Sequence, residues 1–258
     1  MRQKSEAAAN VSSIDKAFAI IDFLNAKGGE ASINEISKGL DMHKSTVYRI
    51  LNAVKAAGYI YQNEETSDYG LSMRFYQIGM RLQNNGKFLQ AYAPYAEAIN
   101  QKYDEVITVG VRSLAVHETP LYMEVYGYAS SHALSQTLSQ GGYSPCYCTA
   151  TGKCLLAFSK ESYLNRFDGC ELPRRTQFTI TNWPELRLEL ARIRECGYAV
   201  DNEEYEIGLT GIATPLFAPN GNIVGALSMT MPVERYRALN TAQVIADMRD
   251  ISALRLKI

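Results

Sequence analysis

The 258 residues are 47% hydrophobic and 21% charged, enough apolar content for a sizeable core, and the formal net charge is -1. Nothing in that balance announces nucleic acid or membrane, although a local basic face can hide within it. No window offers about 18 consecutive apolar residues for a membrane span, the opening "MRQKSEAAAN" lacks the apolar run of a secretory leader, and five irregularly spaced cysteines (Cys146, Cys148, Cys154, Cys170, Cys196) suit a reduced, cytoplasmic setting.

Three short helices are predicted first. Ile14, Phe18, Ile21 and Leu24 recur at helical spacing over about 13–26, with Ser12 and Asp15 as a capping pair and glycines in "KGGE" as the stop. In "SINEISKGL", Ser32 and Glu35 form a capping box, and Gly39 suits a sharp exit. In "HKSTVYRILNAVKAAG", Val47, Ile50, Leu51 and Val54 fall on one side, while Ser45, Tyr48, Arg49 and Asn52 repeat the spacing on the other. From Met42 to Asn63 there is no acid, whereas Lys44, Arg49 and Lys55 are basic. A short helix, a tight turn and a second helix with a polar, basic outer side are what a major-groove reader needs. The candidate DNA contacts are therefore Lys44, Ser45, Thr46, Tyr48, Arg49, Asn52 and Lys55. The plainer alternative is a solvated basic face; the capping box, the short helix and the turn together favour the DNA reader.

"YIYQNEETSDYGLS" then reads as a hairpin, the wing of a winged helix-turn-helix over 12–72. Glu64, Glu65 and Asp68 at its tip would repel phosphate. Residues 73–86 read as a linker helix with Phe75, Ile78 and Leu82 on one side, which a second copy of the chain would cover.

Over 87–258 helices and strands alternate. Helices are expected at 87–103 (broken early by Pro94), 149–167, 184–196 and 233–255. Strands are expected in "VITVGVRS", "PLYMEVYGYA", "GYAVD", "TGIATPLFA" and "NIVGALSMTM", with turns at His117–Pro120 and Pro219–Gly221. Strands flanked by helices imply an α+β sandwich with antiparallel hairpins.

"TATGKCLLAF", Thr149 to Phe158, looks like the end of a nucleotide-binding loop. Counting back five from Gly152 reaches Tyr147 rather than glycine, and Cys154 follows Lys153 where a hydroxyl is needed, so the match fails. The start of a helix still presents unpaired amides with positive partial charge, and the small Ala150, Thr151 and Gly152 would let a carboxylate approach them. Ser228 and Thr230 share a strand face that could line the same site. Asp201, in an acidic run with Glu203 and Glu204, would otherwise read as solvated. Two rival chemistries are conceivable: acid/base work by the carboxylates at 201–204 with Cys148 as nucleophile, and a metal on Cys146 and Cys148 with His117 or His132. No motif places a base beside Cys148, and small buried residues are the simpler account of the cysteines. No cofactor is expected.

Taken together, "SINEISKGLDMHKSTVYRILNAVKAAGYI", "YGLS", "PCYCTATGKCLLAF" and "GYAVDNEEYEIGLTGIATPLFAPNGNIVGALSM" resemble, in order, segments of the IclR family of bacterial transcriptional regulators. The resemblance implies an N-terminal winged helix-turn-helix, a linker helix and a C-terminal GAF-like effector-binding domain. It implies a non-enzymatic regulator, repressor by expectation, of a catabolic operon. It also implies dimers or tetramers on double-stranded operator DNA and control by a small organic acid. Ala150, Thr151, Asp201, Leu209, Gly211, Ser228 and Thr230 match effector-contacting positions. Tyr147 stands where histidine is usual, Cys148 where alanine is usual, and Gly211 where cysteine is frequent. The tyrosine favours a sugar acid. The alternative within the resemblance is an effector-blind protein whose C-terminal domain only oligomerises; a lactonase-like hydrolase is the alternative outside it.

Overall fold

The computed structural model describes residues 12–85, 87–113 and 118–254 and divides the chain into two compact units, 1–85 and 86–258. The first unit begins with α1 (Ser13–Lys27), α2 (Ile33–Gly39) and α3 (Lys44–Ala56), then a two-stranded hairpin, β1 (Ile60–Gln62) and β2 (Tyr69–Leu71), then α4 (Arg74–Asn85). Ser12–Asp15 and Ser32–Glu35 both form complete capping boxes, so α1 and α2 start where their local chemistry dictates. Ile20, Leu24, Ile36, Val47, Ile50 and Leu51 close the core. Of the residues that recur at helical spacing, Leu24 is buried, whereas Ile14 and Phe18 are 66% and 61% exposed. The helix carries two apolar stripes, and the one through Ala17, Ile20 and Leu24 faces inward. Gly39 remains helical; its role is packing, because a side chain there would overlap the Phe23 ring. The sharp exit falls at Asp41, in the left-handed region at φ 48°.

The second unit is a six-stranded antiparallel sheet in the order β5-β4-β3-β8-β7-β6. Its strands are β3 (Val106–Arg112), β4 (Leu121–Tyr128), β5 (Tyr143–Pro145), β6 (Ala199–Asn202), β7 (Leu209–Phe217) and β8 (Ile223–Pro232). One face packs against α5 (Lys87–Tyr103) and α10 (Thr241–Ala253) through Ile107, Val109, Ile212, Leu227 and Met229. The other face packs against α6 (Ala150–Ala157), and α8 (Trp183–Cys196) lies on α6.

Four expectations change. Pro94 lies inside a continuous α5. The helix expected over 149–167 is α6, then α7 (Glu161–Leu164), then a 3-10 turn at Asn165–Phe167; the Ser159 hydroxyl donates to Leu155 O at 2.6 Å and helps close α6. The helix expected over 233–255 is α9 (Val233–Ala238) followed by α10, restarted by the Asn240 side chain accepting from Gln243 N at 3.2 Å. The short edge strand β5 and the irregular segment 130–142 before it lie outside the expected strands. Of the expected turn at His117–Pro120, His117 lies outside the described residues.

Candidate functional site

In the first unit, Lys44, Ser45, Tyr48, Arg49 and Lys55 are exposed on α3, while Thr46 and Asn52 are half-buried. His43 caps α3 without a side-chain hydrogen bond, and the first turn carries no acid, so no side chain of that turn competes for the positive end of the helix, although Asp68 of the wing loop lines the same groove. The turn before α3 is fixed by Ser37 Oγ donating to Met42 O at 2.6 Å. Lys55 Nζ donates to Gln62 Oε1 at 2.9 Å, tying α3 to the wing. The wing is braced by Glu30, which accepts from Tyr61 OH at 2.8 Å and Asn63 Nδ2 at 2.9 Å. An open groove runs between the starts of α2 and α3 and the wing loop, lined by Asn34, Lys44, Ser45, Tyr48 and Thr66 among others.

The second unit holds a narrow, partly open pocket between α6 and the sheet. Thr149 caps α6 with its hydroxyl on Gly152 N at 3.2 Å, which leaves the amides of Ala150 and Thr151 with no acceptor within their own helix. Both residues line the pocket, as do Asp201, Leu209, Gly211, Ser228 and Thr230. Register explains the convergence. Asp201 pairs with Gly211 and Gly211 with Thr230, while Ser228 pairs with Thr108, so neighbouring rows of the sheet present these residues to one side.

Gly152, expected to admit a ligand, does not line the pocket. A Cβ added to it would overlap the Cys146 backbone, and its amide is taken by Thr149, so this glycine lets the helix press on the neighbouring chain. Lys153 is not in the lining either: it is buried and ion-paired to Glu204, with Glu189 Oε1 at 3.6 Å. Tyr147, whose identity suggested a sugar acid, is buried outside the lining with its hydroxyl on Pro173 O at 2.7 Å.

Sequence reasoning missed Thr108, Tyr122, Glu124, Gln136, Ser144, Thr149 and Tyr205, which complete the lining. Glu124 and Tyr122 reach it through a bulge opposite Val109/Gly110, which shifts the pairing by one residue. Before the shift Tyr126 and Tyr128 pack on the α5 side; after it Tyr122 packs on the α6 side. Tyr205 is held beneath Arg175, whose guanidinium lies 4.1 Å from the ring centre and whose Nε donates to Tyr205 O at 3.2 Å.

No lysine, arginine or histidine is among the described lining residues, but two carboxylates are. Asp201 is buried, and its Oδ1 accepts from Glu204 N at 2.8 Å. Burial, seconded by the Glu204 charge, pushes its carboxyl up to about 7. Burial raises Glu124 also, against the Ser139 amide that donates to its Oε2 at 3.1 Å. Thr108 and Ser228 hydroxyls share a hydrogen bond of 2.8 Å. The space within it is about 30 Å³, room for one or two waters. Cys148 is a poor nucleophile, buried and with its thiol pushed up to about 12 by desolvation first and the Asp201 charge second. No cluster of three or more metal-ligating side chains occurs among the described residues, nor does any described helix have the length and apolarity to cross a membrane.

Two family models match. The IclR helix-turn-helix domain covers residues 13–64, and the C-terminal domain of bacterial transcriptional regulator IclR covers 82–254. The HTH-type transcriptional regulator KdgR of Escherichia coli (strain K12) is 32% identical over 92% of this chain and 88% of its own length. A solved IclR transcriptional regulator from Silicibacter sp. TM1040 superposes with a TM-score of 0.79 at 22% identity, covering 95% of both chains. An IclR homologue from Microbacterium hydrocarbonoxydans, solved in complex with 4-hydroxybenzoate, gives 0.76 at 20% identity, covering 94% of this chain and 96% of its own. At such identities the structures establish the fold alone, whereas the family models span most of the sequence. This chain belongs to the IclR family of bacterial DNA-binding transcriptional regulators.

Proposed function

We propose that the protein is a cytoplasmic repressor that reads operator DNA with α3 and releases or tightens that grip when a small hydroxylated organic acid, of the sugar-acid kind, enters the pocket beneath α6. The carrying observation is the convergence of the first α6 amides, at Ala150 and Thr151, with Asp201, Thr108, Ser228 and Thr230. The amides suit the ligand's carboxylate. The hydroxyls and the two carboxylates suit its hydroxyl groups, which donate to Asp201 and Glu124. On α3, Lys44 and Lys55 meet phosphates, and Arg49 with Tyr48 and Asn52 faces the groove floor.

The assembly we propose is a homodimer, or a pair of dimers. Ile14 and Phe18 on α1 and Tyr76, Ile78 and Leu82 on α4 are exposed apolar side chains in the DNA-binding unit, and a second copy would cover them while supplying the second reading helix. Sedimentation measures this directly; a monomer at micromolar concentration would refute it.

The effector reading is tested by fluorescence anisotropy on the protein's own upstream DNA, titrated with sugar acids and keto acids, alongside thermal melting. A ligand at 100 times its dissociation constant adds about 2.7 kcal/mol of stability. A space of only about 30 Å³ favours one second reading, an effector-blind C-terminal unit. That reading expects no organic acid to move either signal.

A further inference from the structure

At the C-terminal end of α6 the side-chain charge is the reverse of the pocket's: cations line the opening, and they also offset the negative partial charge of the last helix carbonyls. Where the α6 C-terminus meets α7, the Asn165–Phe167 turn and the β7–β8 hairpin, an open cleft of about 490 Å³ is formed. Its polar lining comes from Arg112, Lys160, Ser162, Tyr163, Arg166 and Asn222. Three of these are cations and no carboxylate lines the cleft. Among the described residues none of the three cations forms an ion pair; the nearby acid Glu161 is taken by Arg187 and Arg194.

The cations are arranged rather than scattered. Arg112, half-buried at the end of β3, donates from Nη1 to Ser159 Oγ at 3.1 Å, and its guanidinium lies 4.5 Å from the centre of the Tyr163 ring. The Arg166 guanidinium lies 5.5 Å from the same centre. Tyr163 is buried, so one fixed aromatic ring positions two guanidiniums, which lowers the side-chain entropy lost when they bind. Lys160 and the side chains of Ser162 and Asn222 add donors around the opening.

We propose that this cleft binds a small, multiply charged anion of the phosphate-ester class, at a site separate from the pocket at the other end of α6. A phosphate monoester carries about -1.5 to -2 charges at neutral pH with three acceptor oxygens. Two guanidinium forks and an ammonium match that charge and geometry, and the cleft volume falls within the range of about 300–1,000 Å³ typical of small-ligand sites. A single carboxylate leaves most of the positive charge unbalanced.

The test is calorimetric titration of the full chain with glycerol 3-phosphate and with inorganic pyrophosphate, at constant ionic strength, with acetate as the singly charged comparison. Wild type is expected to give one saturable site per chain for both phosphates and none for acetate. The double variant Lys160→Gln/Arg166→Gln, which alters exposed side chains and should melt as wild type does, is expected to bind at least tenfold more weakly. Lys44→Gln/Arg49→Gln, on the DNA-reading face, should bind as wild type, as should Asp201→Asn in the pocket. Absence of saturation, equal binding of acetate, undiminished affinity in the cleft variant, or loss of affinity in the α3 variant would each overturn the proposal.

Discussion

Replacing Asp201 by asparagine should stabilise the protein at alkaline pH. The carboxyl is buried on β6, and its environment pushes it from an ordinary 3.8 up to about 7. A displacement of that size corresponds to about 4 kcal/mol favouring the neutral form. The folded state therefore holds a proton that the unfolded chain has already lost. Stability from this group is fully present below about pH 4, is lost as pH rises toward 7, and is flat above. Asparagine keeps an oxygen for the Glu204 amide that Asp201 Oδ1 now accepts at 2.8 Å, and it removes the buried charge. We expect Asp201→Asn to exceed wild type by about 1–4 kcal/mol at pH 8, with the gain shrinking below pH 7 and nearly gone at pH 4. Urea midpoints followed by circular dichroism at several pH values measure both curves. A variant less stable than wild type at pH 8, or a gain that does not change with pH, would refute the reasoning. The same variant should lose effector response, because a stabilising change that removes a hydroxyl acceptor from a binding site costs function.

The other expectations are briefer. Arg49→Ala should weaken operator binding by about 1–3 kcal/mol, roughly 5- to 150-fold, in a gel-shift titration, while Glu64→Ala at the wing should not weaken it. Gly152→Ala should destabilise, since the new methyl runs into the Cys146 backbone, whereas Gly211→Ala makes ordinary contacts at 3.4–3.6 Å with Thr230, Ala150 and Met229. Melting should separate the two glycines, and Gly211→Ala should fold normally yet lower effector affinity by filling the pocket. Lys153→Met should cost about 3–5 kcal/mol by urea denaturation, because Glu204 and Glu189 lose the buried cation between them.

What the sequence made legible is what local chemistry determines. The capping serines, the short α2 and the polar side of α3 follow from residues a few positions apart, and the structure has them where the pattern puts them. The α6 start and the Ser228–Thr230 face were legible for the same reason. Glu124 and Tyr122 were not, because a bulge reverses which residues of β4 point to the pocket, and a period of two carries no sign of it. Gln136 comes from an irregular stretch with no periodicity at all. The run at 201–204 looked solvated because its explanation lies 51 positions away, at Lys153, whose pairing with Glu204 draws the acidic turn inward. Gly152 was misread for a related reason: a small residue beside a helix start serves a ligand and a packed backbone equally well until the neighbour at Cys146 is known.

A pocket of about 30 Å³ cannot take a sugar acid without giving way, and the hydrogen bonds show where it would give. The segment 129–142, which carries Gln136 into the lining, is held at Ser131 N by Asp104 Oδ1 at 2.8 Å and at Leu134 O by Arg235 Nη1 at 2.8 Å. Its other end is held by Glu124, whose Oε2 accepts from Ser139 N at 3.1 Å and whose backbone carbonyl accepts from Gly141 N at 2.7 Å. Glu124 thus tethers the covering segment and also lines the pocket. A ligand hydroxyl that donates to this carboxylate competes with the Ser139 amide, so recognition and opening draw on one group. A ligand shifts a conformational equilibrium only by its differential affinity for the two states, and a charge-assisted hydrogen bond of about 1.5–3 kcal/mol matches the coupling of about 1–3 kcal/mol typical of such switches. Saturating effector should therefore speed amide hydrogen exchange at Ser139 while slowing it at Ala150 and Thr151, and Glu124→Gln should blunt the first change more than the second. Protection rising together at all three amides would mean that the ligand enters without loosening the tether.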